Sequence, residues 1–200
     1  MVMAVGEPAA PAAIADGLDS LILRIRAGEK DAFELLMAQT EGRVLGLAWR
    51  LLGSRDQARD AAQEVFMRIY RSLDSFRLGE SFPAWTARIT VNVCADHARR
   101  RGPFSQATEL EQLPHPASED LVEAILTDQR RALLRQALAA LTPAERSALV
   151  LRDLEGLSTE EAAAALGIRP VTVRSQISSA RTKLRTFCER LLNRPKGGPP

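Results

Sequence analysis

The stretch DQARDAAQEVFMRIYRSL, residues 56–73, places two opposite patterns on one predicted helix. Its alanines and its large apolar residues, such as Val65 and Ile69, recur on one wide arc, which predicts a buried face. The acidic and amide side chains on the other side are Asp56, Asp60, Gln63 and Glu64. A helix that packs on the core with one side and faces water with the other would carry the same polar residues. The role of this outward face therefore depends on the rest of the chain.

The residues that follow combine an aromatic loop with a basic helix. The loop SFRLGESF, residues 75–82, is interrupted by Gly79, and Pro83 can begin the next helix because the first turn needs no backbone donor there. That helix, ending WTARITVNVCADHARRR at residue 101, has apolar residues at helical spacing, and Phe82 and Trp85 are predicted to be core. Its three terminal arginines predict contact with a negatively charged partner.

Toward the N-terminus, two further amphipathic helices are expected. Residues 1–16 are rich in Ala and Pro and predict a disordered tail. Apolar spacing predicts a short helix over residues 18–27, ended by Gly28. Asp31 is the expected N-cap of a longer core helix that ends at Gly53.

Toward the C-terminus, the sequence predicts a helix-turn-helix. Thr142 with Glu145, and Ser158 with Glu161, have the spacing of capping boxes, so a helix begins at each. Gly167 ends the short second helix, and a long helix follows from about residue 170. One stripe of this last helix is apolar, whereas the other carries arginines and hydroxyls that could donate to base edges and phosphates.

Composition and charge fit an all-α protein of two small helical domains. Hydrophobic residues make up 46% of the 200 residues but aromatic residues only 4%, which disfavours a β-sandwich. The net charge is only +2, but the basic residues are concentrated in the C-terminal region. The predicted division is tail 1–16, first domain 17–102, a flexible acidic linker 103–120, helix-turn-helix domain 121–193 and tail 194–200.

Metal, disulfide and membrane sites are not expected. Cys94 and Cys188 lack CxxC spacing, and Cys94 with His97 would give at most two ligands. No apolar run reaches the length of a membrane span, and the N-terminus lacks the pattern of a signal peptide. We therefore expect a cytoplasmic protein with no metal cofactor and no direct membrane insertion.

These motifs together resemble the extracytoplasmic-function (group 4) sigma factors of bacterial RNA polymerase, in the sigma-70 family. The resemblance is carried by DQARDAAQEVF, by the SF…FPAW…ITVN…DHARRR run, and by LTPAER…LRDLEGLS…EAA…LGI…TVRS…AR. The resemblance implies a promoter-specificity subunit that binds core RNA polymerase and promoter DNA, with no cofactor and no catalytic residue of its own. It also implies an anti-sigma factor, which could silence the protein by wedging between the two domains.

The resemblance also assigns residues to each contact. Core polymerase would be bound through Asp56, Asp60, Gln63 and Glu64. The minus-ten element would be bound through Phe76, Arg77, Gly79, Ser81, Asn92, Asp96, Arg99 and Arg100. The minus-thirty-five element would be bound through Arg169, Thr172, Arg174, Ser175, Ser178, Arg181 and Lys183. Gln176 and Ser179 stand where relatives often have a basic residue.

Two other functions are compatible with parts of the sequence. The helix-turn-helix pattern also resembles that of response-regulator activators, which would require a ligand or phosphoacceptor domain upstream. The carboxylates Asp56, Asp60 and Glu64 form a ladder at helical spacing that could hold a hard cation in an enzyme. No second acidic helix supplies further ligands for such a cation.

Overall fold

The computed structural model describes residues 12–101 and 121–193, with side chains from 17 to 100 and from 129 to 193. Every regular element in these ranges is helical, so the all-α prediction is confirmed. The predicted linker 103–120, the tail 194–200 and the first eleven residues lie outside the described residues. The first domain contains α1 (Ala12–Arg26), α2 (Lys30–Leu52), α3 (Arg55–Ser72), a 3-10 turn (Leu73–Ser75) and α4 (Phe82–Arg101).

The apolar arc of α3 forms the centre of the first core. Val65 and Ile69 are buried between α1, α2 and α4, together with Ile22 and Val93. Phe82 is buried and Trp85 packs against the same cluster, as the sequence predicts. This core fixes the angle at which α3 and α4 present their outward faces.

The ends of the first helices depart from the prediction in two places. α1 begins at Ala12, earlier than the expected start at residue 18, because the alanines there favour helix despite lacking an apolar stripe. The expectation that Asp31 caps α2 is wrong: the cap position is Glu29, and Asp31 lies in the first turn. Gly53 ends α2 as predicted, with a φ of 75°.

The second domain contains the predicted helix-turn-helix. Its helices are α5 (Leu121–Ala139), α6 (Pro143–Leu149), α7 (Thr159–Leu166) and α8 (Pro170–Leu192). Both predicted capping boxes are present, from Thr142 to Glu145 and from Ser158 to Glu161. A π-helical segment (Val150–Leu154) follows α6, where the sequence indicates only a continuing helix.

Removing the Ser158 hydroxyl should cost about 1 kcal/mol of unfolding free energy. The Ser158 side chain accepts a hydrogen bond from the Glu161 backbone N–H at 3.1 Å and so satisfies one free donor of α7. Urea unfolding of Ser158→Ala checks this. Ser178→Ala, an exposed serine of α8, is the matched control and should change the midpoint little.

The two domains contact each other through a shared second core. Leu47 of α2 and Val91 of α4 are buried in the same cluster as Leu138 and Leu151 of the second domain. The prediction of two small helical domains is confirmed, and the two domains contact each other directly.

An ion-pair cluster lies beside this shared core. The Glu155 carboxylate, only 5% exposed, accepts hydrogen bonds from Arg43 Nε at 3.0 Å and from Arg50 Nη1 at 2.7 Å. Arg43 Nη2 also donates to the Glu155 carbonyl at 2.8 Å, and Arg146 Nη1 donates to the Leu51 carbonyl at 3.1 Å. A partner that wedges between the domains would have to break these contacts.

Candidate functional site

The outward face of α3 carries three of the four residues predicted to meet polymerase. Asp56, Asp60 and Gln63 are exposed and lie along one line of the helix. Met67 and Tyr70 continue that line and are 53% and 58% exposed. Sequence reasoning missed these two, although their spacing from Gln63 places them on the same face. The face therefore combines carboxylates and an amide with an apolar end.

Glu64 is placed differently from its neighbours. It is half-buried and turned toward α4, where Oε2 lies 2.9 Å from His97 Nε2. The pKa of Glu64 is lowered, first by the hydrogen bond with His97 and then by Arg68. Its carboxylate is thus used inside the domain, to hold α3 against α4.

Arg68 is the centre of the network between these two helices. Its Nη2 donates to Glu64 and also to Asp96 Oδ2, the latter at 3.0 Å. Asp96 in turn accepts a hydrogen bond from Arg99. The Arg68 bond, and secondarily that from Arg99, lowers the pKa of Asp96. Asp96 therefore orients the arginine end of α4.

Replacing Arg68 with methionine should lower the unfolding free energy by about 1 to 2 kcal/mol, since two charged acceptors lose their shared donor. Urea unfolding at low and high salt measures this. The difference from the wild type should shrink as salt rises. Arg71→Met, an exposed arginine on the same helix, should have less than about half of the effect.

The loop between α3 and α4 differs from its predicted role at one residue. The Phe76 side chain is 2% exposed and packs edge-on against Phe82, with ring centroids 5.3 Å apart. It cannot stack on a DNA base from this position, because aromatic packing holds it in the core. Arg77, Gly79 and Ser81 are exposed, as expected for a contact loop.

Two contacts tie this loop to its surroundings. Arg26 of α1 donates from Nη2 to the carbonyls of Leu73 and Phe76, and the distance to Leu73 is 2.8 Å. Ser81 hydrogen-bonds Glu161 of α7; the pKa of Glu161 is lowered, mainly by the Ser158 backbone and further by this hydroxyl. The loop is therefore held from both domains.

The outward side of α4 leaves its polar residues accessible. Asn92, Arg99 and Arg100 are exposed, whereas Asp96 is half-buried in the network described above. Asn92 lines an open groove of about 320 Å³ between α3 and α4, together with Arg71. The arginine end of α4 offers a positively charged surface beside this groove.

The recognition stripe of α8 faces away from the core. Val173 and Ile177 are buried, as predicted, while Arg174, Ser175 and Ser178 are exposed. Arg169 is exposed at the N-cap position and Thr172 is half-buried in the first turn. The N-terminal half of α8 is thus accessible to a partner as large as a DNA duplex.

Two residues predicted to contact phosphates instead make internal ion pairs. Arg181 donates to both carboxylate oxygens of Asp153, at 2.9 to 3.1 Å. Lys183 Nζ lies 2.7 Å from Glu145, which also accepts a bond from the Ser179 hydroxyl at 2.6 Å. These bonds, with that of Lys183 first, lower the pKa of Glu145 to about 2. The sequence identified Glu145 only as a capping residue.

No group of three or more His, Cys, Asp or Glu side chains that could hold a metal occurs in the described part of the chain. Burial raises the pKa of the Cys94 thiol to about 12, so it stays protonated. Among those same residues, no helix is both long enough and apolar enough to cross a membrane.

The sequence matches known families over both domains. The family Sigma-70 region 2 matches residues 36–103, and Sigma-70, region 4 matches residues 129–184. The RNA polymerase sigma-H factor of Pseudomonas aeruginosa is 35% identical over 86% of this chain and 94% of its own length. The chain belongs to the sigma-70 family of RNA polymerase sigma factors.

Further relatives place this sigma factor in the extracytoplasmic-function (ECF) group. The ECF RNA polymerase sigma factor SigE of Mycolicibacterium smegmatis is 41% identical over 78% of this chain, and the match spans 61% of that relative's length. The ECF RNA polymerase sigma-E factor of Escherichia coli K12 is 33% identical over 87% of this chain and 95% of its own length. The response-regulator alternative is not favoured.

Two solved structures, one of them of a sigma factor, share the fold. CnrH, solved in complex with the cytosolic domain of CnrY, is 28% identical, with a TM-score of 0.63 over 86% of this sigma factor and 96% of that chain. RpoE of Bartonella quintana, solved with the anti-sigma factor NepR, is 28% identical, with a TM-score of 0.62 over 80% and 98%. The likeness covers both domains of this sigma factor.

Proposed function

We propose that this sigma factor binds core RNA polymerase through the outward face of α3, reads the minus-ten element with the following loop and α4, and reads the minus-thirty-five element with α8. The observation that carries the proposal is that these surfaces are open while the apolar stripes behind them are buried. It acts in the cytoplasm as a specificity subunit and has no catalytic activity of its own.

The polymerase contact is proposed for Asp56, Asp60 and Gln63, extended by Met67 and Tyr70. Exposed carboxylates make charge-assisted bonds with arginines of a partner. Aromatic and Met side chains are enriched where protein interfaces exclude water. Glu64 supports this face indirectly, because its carboxylate is engaged with His97 and Arg68.

The minus-ten contact is proposed for Arg77, Gly79 and Ser81 of the loop and for Asn92, Arg99 and Arg100 of α4. Phe76 does not take part, because its side chain is buried in the core. Asp96 acts through Arg99, which it orients. Leu78, 41% exposed, is the apolar surface that the loop offers to an unstacked base. Separating one base-pair step costs about 1.4 kcal/mol, and capturing a base returns roughly 1 to 3 kcal/mol, so local melting needs no ATP.

The minus-thirty-five contact is proposed for Arg174, Ser175 and Ser178, with Arg169 and Thr172 at the helix start. Arginine and hydroxyl groups at the N-terminal end of a recognition helix suit base edges and nearby phosphates. To contact DNA phosphates, Arg181 and Lys183 would first have to break their ion pairs with the carboxylates of Asp153 and Glu145. Few free phosphate contacts imply a shallow dependence of binding on salt.

An anti-sigma factor is proposed as a regulator. Both solved relatives described above were captured with another protein, and the one bound to RpoE is an anti-sigma factor. A partner of this kind would either separate the two domains at Glu155 or hold them together. Co-purification from the native host would be expected to yield it; recovery of polymerase alone under all conditions would contradict this part.

Transcription with purified components tests the proposed function. Core RNA polymerase is mixed with the full chain and genomic promoter fragments, and promoter-dependent transcripts are expected only when both proteins are present. A response-regulator activator would instead stimulate polymerase that already contains another sigma factor, without binding core. If the full chain does not bind core RNA polymerase, the proposed function is wrong.

A further inference from the structure

Val171 is an exposed apolar residue on an otherwise polar helix face. It is the second residue of α8, and its side chain is 57% exposed. The buried residues Val173 and Ile177 lie on the opposite side of the helix. Val171 therefore projects from the middle of the stripe that carries Arg174 and Ser175.

We propose that Val171 reads the methyl group of a thymine in the minus-thirty-five element. The inference rests on the proposed function, because it requires α8 to enter the major groove. There thymine presents a C5-methyl group, whereas the other bases present only polar atoms and ring edges. In helix-turn-helix proteins the N-terminal residues of the recognition helix reach the base edges.

The neighbours of Val171 fit this role. Arg174 and Ser175 follow it by three and four residues, so the three side chains are adjacent on the helix surface. Both polar residues are exposed and can bond the bases or phosphates beside the thymine. An isolated valine in this position can exclude water from one methyl group, which would strengthen binding about fourfold.

Replacing thymidine with deoxyuridine tests the methyl contact alone, since deoxyuridine lacks only the C5-methyl group and keeps every other group of the base pair. Holoenzyme made from core polymerase and the full chain first selects duplexes from a pool randomised over the minus-thirty-five region. Each thymine of the selected duplex is then replaced singly by deoxyuridine, and binding is compared for the wild type, Val171→Ala and Val171→Ile.

At one thymine, deoxyuridine should weaken wild-type binding about fourfold and Val171→Ala binding by less than about 1.5-fold. Val171→Ile should keep the wild-type discrimination. Leu192→Ala is the matched control, since Leu192 is an apolar residue 84% exposed at the other end of α8. It should also discriminate like the wild type, and thermal unfolding should show that all variants fold.

The outcomes separate this inference from the proposed function. If the wild-type holoenzyme enriches no upstream sequence, the proposed minus-thirty-five contact fails. If a sequence is enriched but it lacks thymine, or deoxyuridine affects the wild type and Val171→Ala equally at every position, only the role of Val171 is overturned.

Discussion

Replacing Asp60 with arginine is expected to weaken binding to core RNA polymerase by about 100-fold or more without unfolding the chain. Asp60 is exposed at the centre of the α3 face, between Asp56 and Gln63. A partner surface that complements this acidic face would meet a like charge, which costs several kcal/mol, and each 1.4 kcal/mol is about tenfold. Core binding by fluorescence anisotropy, with unfolding measured in parallel, checks the prediction.

Glu189→Arg is the matched control for that experiment. Glu189 is an exposed acid on α8, so the substitution makes the same change of charge away from α3. It should leave core affinity within about threefold of the wild type. Equal loss in both variants would mean that total charge, and not the α3 face, governs binding.

Loss of the Glu145 carboxylate should lower the unfolding free energy by about 2 to 3 kcal/mol. Glu145 is 7% exposed and binds Lys183, Ser179 and the Thr142 backbone at once. Glu145→Ala therefore breaks the link between α6 and α8 and leaves a lysine without its carboxylate. Urea unfolding of the full chain, followed by circular dichroism, measures the loss.

The pH dependence of stability gives a second readout on Glu145. The pKa of its carboxyl is about 2 in the folded chain against an ordinary 4.5, so the folded state binds fewer protons. The stabilisation is therefore present above about pH 4.5 and is lost as the pH falls toward 2. Glu145→Gln should remove this part of the acid sensitivity, whereas Glu189→Gln should retain it.

Much of the fold could be predicted from local patterns. Capping boxes, Gly53 and the apolar arc of α3 each act over a few residues, so the sequence alone indicates them. The position of Phe76 could not be predicted in this way, because an aromatic residue in a loop suits either a base or the core. Its burial depends on Phe82 and Trp85, which reach it only once α4 has folded back.

In the candidate site, too, local patterns could be predicted from the sequence and long-range contacts could not. The exposure of Asp60 and Gln63 follows from helical spacing, but the engagement of Glu64 depends on His97, a residue of another helix. No sequence pattern predicts the ion pairs of Glu155 either, because Arg43 and Arg50 reach it from α2. Long-range pairs of charges leave no periodic signal in one sequence.

The core shared by the two domains couples their unfolding. If the second domain opened alone, Leu47 and Val91 would lose apolar neighbours, and Arg43 and Arg50 would lose the Glu155 carboxylate. The chain should therefore melt in one cooperative transition, and slow hydrogen exchange should extend across both domains. A ligand that clamps either domain would then protect backbone amides in the other.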